Sequence, residues 1–170
     1  MPIRIPVFVS APTSLNPQQN AARDLVIAEL DAQQFEARAL GRTDYPADCP
    51  MREVFSIVKV CAGGVILGFS QYDGTGGVWK RGTDREQAHT GAVMFPSPWN
   101  QLEAGMLYSL GVPLLIFREK GIAGGIFDAG VSELFINDMP VAPLSTDTAE
   151  GLRQVFLKWS ARVRTRYYRD

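Results

Sequence analysis

The sequence predicts an α/β domain: an open, mainly parallel five-stranded sheet with helices on both faces. Three observations lead there. Short runs of β-branched and aromatic residues alternate along the chain with segments of helical period. Two of those runs, GGVILGFS (63–70) and VPLLIF (112–117), are continuously apolar, as in strands covered on both faces. The 170 residues, 46% hydrophobic and 21% charged, suffice for one domain with a sizeable core. A single domain spanning 1–170 is therefore expected.

Taken in order, IPVFVS (Ile5 to Ser10) reads as the first buried strand. Asn16 then offers an N-cap with Pro17 at the first helical position, opening a helix to about Gln34. FEARAL (35–40) is the second strand, MREVFSIVKVC (51–61) a short helix, GGVILGFS the third strand and VPLLIF the fourth. SELFIN (132–137) supplies a fifth. From Asp147, Asp-Thr-Ala-Glu has the pattern of a capping box, and Leu152, Val155, Phe156, Trp159 and Val163 continue at helical spacing. That helix, from about 148, is basic: Arg153, Lys158, Arg162, Arg164, Arg166 and Arg169 face a single acid after Glu150. Positive charge there complements a helix C-terminus; the other reading is an anionic partner or a subunit contact.

One segment breaks the rhythm. Residues 71–96, QYDGTGGVWKRGTDREQAHTGAVMFP, have no clear period and read as a loop or lid insertion. It would start at the carboxyl end of the third strand, where open parallel sheets bind ligands. Gly74, Gly76 and Gly77 match neither common phosphate-loop pattern, which leaves a flexible turn or a phosphate cradle. Tyr72 and Trp79 are candidate lid contacts, with local packing as the alternative. His89, the sole histidine, has no partner at triad or metal spacing and reads as a solvated loop residue, with a lid contact as the alternative.

Composition excludes several classes. A net charge of −1 gives no general reason to bind nucleic acid. Cys49 and Cys61 lack the number and spacing for a disulfide framework or a zinc ribbon. No apolar stretch is long enough for a membrane span, and no secretory leader is visible, so a cytoplasmic protein is expected.

The residues that bear on chemistry lie in SPWNQLEAGMLYSLGVPLLIF (97–117). Ser97 is an N-cap, Pro98 the first helical residue and Asn100 the third. At about 100° per residue, Trp99, Leu102, Met106, Leu107 and Leu110 share one arc, and Glu103 falls inside it. A carboxylate facing the body of the domain needs a partner or a purpose. Glu103 is one turn too late to close a capping box, so the structural readings are the helix dipole or a nearby arginine.

The spacing Ser97-x-Trp99-x-x-x-Glu103, followed by Ala104 and the GVPLLIF strand, resembles the Ser-x-Trp-x-x-x-Glu helix of TIR domains. VFVSAP (7–12) is similar to their opening strand, and IVKVCAGGVILGFSQY (57–72) to their helix and strand ahead of it. The resemblance implies the flavodoxin-like TIR architecture. It also implies cleavage of an N-glycosidic bond, most often the nicotinamide–ribose bond of NAD, in nucleotide signalling or antiviral defence. NAD would be the substrate, with no cofactor.

On that reading Glu103 is the catalytic carboxylate, stabilising an oxocarbenium-like ribose. Trp99 would wall the ribose or stack on the leaving base, unless it is a core aromatic. Ser97 and Asn100 would contact ribose or phosphate at the helix N-terminus, and Ser10 would join them from the end of the first strand. Self-association or a partner subunit is a further implication of the resemblance. Three other readings stay open: a nucleotide sensor without turnover, an interaction module of the adaptor TIR kind, and a nucleoside deoxyribosyltransferase. The last usually has Gly-Thr where this chain has Trp99-Asn100.

Overall fold

The computed structural model describes residues 4–41, 44, 49–132 and 134–169. Strand β1 (Ile5–Ser10) leads into α1 (Pro17–Ala32), then β2 (Phe35–Arg38), α2 (Pro50–Lys59) and β3 (Gly63–Gly68). A β4 (Ser70–Trp79) and β5 (Gln87–Pro96) pair follows, then α3 (Pro98–Ser109), β6 (Leu114–Arg118), a single 3-10 turn (Gly125–Phe127), β7 (Ile136–Asp138) and α4 (Thr146–Tyr167). Five strands form one sheet in the order β2-β1-β3-β6-β7, and every neighbouring pair in it is parallel. The expected α/β class with helices on both faces is what the chain adopts.

The strand alternation sorts the core into two layers. Val7, Val9, Val65, Leu67, Leu115 and Phe117 point to the side covered by α1 and α4, where Val26, Leu30, Phe156 and Trp159 meet them. Phe8, Ile66, Leu114 and Ile116 point to the other side, against Val54 and Val58 of α2 and Ala104 and Leu107 of α3. Since successive side chains of a strand face opposite ways, an unbroken apolar run is what a doubly covered strand requires. Gly63 lets α4 come close: a Cβ there would lie 2.7 Å from Trp159 Cζ2 and 2.7 Å from Val163 Cγ2.

Helix α1 starts as the sequence indicates. Asn16 Oδ1 accepts from the Gln19 backbone N–H at 2.8 Å and Gln19 Oε1 from that of Asn16 at 3.1 Å. Helix α4 does not use its expected box. Ser145, two residues before Asp147, is the N-cap and accepts from the Thr148 N–H at 3.2 Å, so the Asp147–Glu150 pattern lies inside the first turns. The last strand is shorter and later than SELFIN, and Glu133 of that run lies outside the described residues.

The larger correction concerns 71–96. The segment is a two-stranded antiparallel ribbon, β4 with β5, standing apart from the main sheet. Gly74 and Gly77 pair with Val93 and His89 inside it, and Gly76 takes a positive φ where the register shifts between Thr75 and Gly77, so the three glycines form neither a turn nor a cradle. Nearly all of its residues are exposed or half-exposed. A ribbon with no buried face carries no apolar alternation, which is why periodicity missed it. Its base is held by Glu119, whose Oε2 accepts from the Ser70 backbone N–H at 2.6 Å and from Gln19 Nε2 at 3.1 Å.

Candidate functional site: a cleft at the carboxyl end of the sheet

Going outward from β1, the chain order runs one way through β2 and the other way through β3, β6 and β7. Loops at the carboxyl ends of β1 and β3 therefore leave in opposite directions and open a crevice between them. A cleft of about 360 Å³ lies there. Its walls come from Ala11 to Ser14 after β1, Leu40 and Gly41 after β2, Gln71 in the ribbon, and Ser97, Trp99, Asn100 and Glu103 of the α3 start.

Helix α3 buries Asn100, Glu103, Ala104 and Leu107, and this face differs from the arc expected from the sequence. Trp99 and Leu102 lie off it, 41% and 43% exposed, so the reading of Trp99 as a core aromatic is overturned; its ring walls the cleft instead. The expected arc was centred on large apolar residues, whereas the packed face carries two polar ones. Ser97 is the helix cap, its Oγ accepting from the Trp99 N–H at 3.2 Å, and it also lines the cleft.

Glu103 is 9% exposed, and among the described residues no cation pairs with it. The arginine-pair reading therefore has no support there. Arg38, which ends β2, is bonded to Asp44, its Nε donating at 2.9 Å. Burial pushes the Glu103 carboxyl up to about 7, with hydrogen bonding from the Ser10 hydroxyl pulling the other way. The group thus sits near its midpoint at neutral pH, which suits a residue that changes protonation or charge balance during a reaction.

Ser10 and Asn100 are each 1% exposed, and Asn100 Nδ2 donates to Ser10 Oγ at 2.7 Å. They form one buried polar pair, and Asn100 shares with Glu103 the buried face of α3 and the cleft wall. Tyr72 and Trp79 do not line the cleft; both rings pack on Phe95 across the ribbon, with centroids 6.3 Å and 5.9 Å away. His89 is exposed, its Nε2 3.4 Å from the Ala92 carbonyl oxygen. Burial drives the Cys61 thiol up to about 12, so it keeps its proton at neutral pH and offers no nucleophile. Among the described residues no group of three or more His, Cys, Asp and Glu side chains could hold a metal ion, and no helix is long and apolar enough to cross a membrane.

Sequence reasoning did not select Thr13, Ser14, Gly41 or Gln71, which also line the cleft. Their only sequence signal is position just after a predicted strand. Comparison with protein-family profiles, curated proteins and solved structures finds no match to this chain.

Proposed function

We propose that the protein is a TIR-like N-glycosidase that cleaves the nicotinamide–ribose bond of NAD, with Glu103 as the catalytic carboxylate. The observation that carries this reading is a buried carboxylate, with no cation paired to it among the described residues, facing a cleft at the carboxyl end of a parallel sheet. As the bond from the ribose anomeric carbon to the pyridinium nitrogen breaks, its electron pair leaves with neutral nicotinamide and the ribose becomes oxocarbenium-like. A carboxylate in a place of low dielectric stabilises that charge far more than one in water. Water or an internal hydroxyl then attacks the anomeric carbon and loses a proton, giving ADP-ribose or a cyclic product. Trp99 would wall the ribose or stack on the departing base, and the free N–H groups at the start of α3 favour an anion nearby.

A second reading has a specific support. At about 360 Å³ the cleft is at the small end of ligand cavities, roughly 300–1,000 Å³, and matches a base with its ribose better than a whole dinucleotide. A nucleoside deoxyribosyltransferase would use the same carboxylate on such a substrate. Incubating the protein and its Glu103→Gln variant with NAD and a panel of nucleosides, at low and high protein concentration, with products read by chromatography and mass spectrometry, separates the two. Nicotinamide release that the variant loses is the expected result. Base exchange with NAD untouched would move the assignment to the second reading, and saturable binding without turnover to a sensor. A signalling or defence role and self-association extend the same proposal.

A further inference from the structure

From Gly151 to Arg169 the chain carries Arg153, Lys158, Arg162, Arg164, Arg166 and Arg169 and neither Asp nor Glu, in a protein whose net charge is −1. A helix C-terminus attracts cations, but only across its last turn, which holds Arg164 and Arg166. Arg164 has a place of its own: its Nη2 donates to the Gln33 carbonyl, and its guanidinium lies 5.2 Å from the Phe35 ring centroid. The dipole therefore leaves Lys158 and Arg162 unexplained. At about 100° per residue, Lys158, Arg162, Arg166 and Arg169 fall within an arc of about 80°, whereas Arg153 stands on the opposite side of the helix. Like charges at such spacing destabilise a helix unless something opposes them.

The stripe borders a groove. One hollow of about 510 Å³ is lined by Pro113, just before β6, together with Arg162, Thr165, Arg166 and Arg169. A second, of about 520 Å³, lies between α4 and the edge strand β7; it shares Arg162, adds Lys158 and includes Phe135. The shared arginine joins the two into one track. Among the described residues the four cations make no salt bridge and no acidic side chain lines either hollow; Arg166 is tethered, its Nη1 donating to the Gly111 carbonyl at 3.3 Å. Phe135 is 82% exposed, so packing within the domain does not account for its ring. The floor is fixed, since Trp159 Nε1 donates to the Pro113 carbonyl at 3.0 Å.

We infer that this track binds a single strand of nucleic acid, with phosphates on Lys158, Arg162, Arg166 and Arg169 and a base stacked on Phe135. Cations along a groove follow the backbone of such a strand, and an exposed ring beside them takes the flat face of any base. At about 1.5 Å of rise per residue the stripe runs about 16 Å, too long for one phosphate and long enough for several in succession. A concave track also suits a strand better than the flat surface of a membrane. The groove shares no residue with the cleft, and binding there needs no turnover at Glu103.

The test is fluorescence anisotropy of labelled oligothymidylate and oligouridylate titrated with the full chain over a series of salt concentrations. Contact with about four phosphates gives log affinity against log salt a slope of about −3, so a roughly fourfold rise in salt weakens binding about 50-fold. Arg162→Gln should make that slope shallower by about 0.7, and Arg153→Gln, on the opposite side of the helix, should leave it alone. Phe135→Ala should weaken binding about tenfold with the slope unchanged. All three side chains are exposed, so the variants keep the fold. Glu103→Gln should bind like the parent, which separates this site from the cleft. Binding of neither oligonucleotide overturns the inference, as does binding that Arg153→Gln weakens as much as Arg162→Gln or that Phe135→Ala leaves unchanged. Capture by phosphatidylserine vesicles, or a dimer in sedimentation that Arg162→Gln abolishes, with neither oligonucleotide bound, overturns it as well and names the occupant instead.

Discussion

Replacing Glu103 by Gln should stabilise the fold, and only at the upper end of the pH range. The carboxyl ionises around 4.5 when exposed and at about 7 in the folded chain. Between those values the unfolded chain has released a proton that the folded chain still holds, so stability falls as pH rises through that window and then levels off. The gap, at 1.36 kcal/mol per pKa unit, makes the ionised carboxyl cost roughly 3 kcal/mol above pH 7. Gln is isosteric, keeps an oxygen to accept from Ser10, and never ionises. Urea unfolding of the parent and Glu103→Gln at pH 4.5 and pH 8 reads the difference. The two should be nearly equal at the low pH, with the variant ahead by roughly 3 kcal/mol at the high one, which for a chain of this size is about 6–12 °C in Tm. Other carboxylates titrate in both proteins and cancel in the comparison. A variant no more stable than the parent at pH 8, or a difference that does not change with pH, would refute the desolvation reasoning.

Three further outcomes follow from the packing. Trp99→Ala should leave Tm within about a degree or two, since surface changes stay near 0.5 kcal/mol, yet weaken ligand binding several-fold in calorimetric titration; a large loss of Tm would mean that the ring is structural after all. Gly63→Ala should destabilise by about 1–3 kcal/mol in urea, because the added methyl meets Trp159 and Val163 and α4 must shift; an unchanged midpoint would contradict the close approach. Glu119→Ala removes the acceptor shared by Ser70 and Gln19, so amide exchange across β4 should accelerate while the core of β3 stays protected; uniform protection would show that the ribbon is held elsewhere.

The parts of the fold legible in the sequence were those whose signal is a pattern of burial. IPVFVS, GGVILGFS and VPLLIF are strands because both faces are covered, and a doubly covered strand has no polar side to hide. Asn16-Pro17 and Ser97-Pro98 mark helix starts because cap chemistry is local. The β4–β5 ribbon was illegible for the converse reason: pairing between two exposed strands is backbone chemistry, and nothing in side-chain periodicity records it. Glu103 could be singled out as an anomaly on its helix, but the arc drawn around it was centred on Trp99 and Leu102, which the fold turns outward.

By itself, then, the sequence determined the class of the sheet, the starts of α1 and α3, and the presence of one carboxylate on a helix face that packs inward, since each rests on contacts or rotations within a few residues. Only the tertiary structure decided what Glu103 means. Its lack of a cationic partner among the described residues, its cleft wall of Trp99 and Gln71, and the buried Ser10–Asn100 hydrogen bond join residues from β1, the ribbon and α3. Those segments are separated by as many as 90 positions in the chain, and the field at a carboxylate depends on which atoms surround it, whatever their order in sequence.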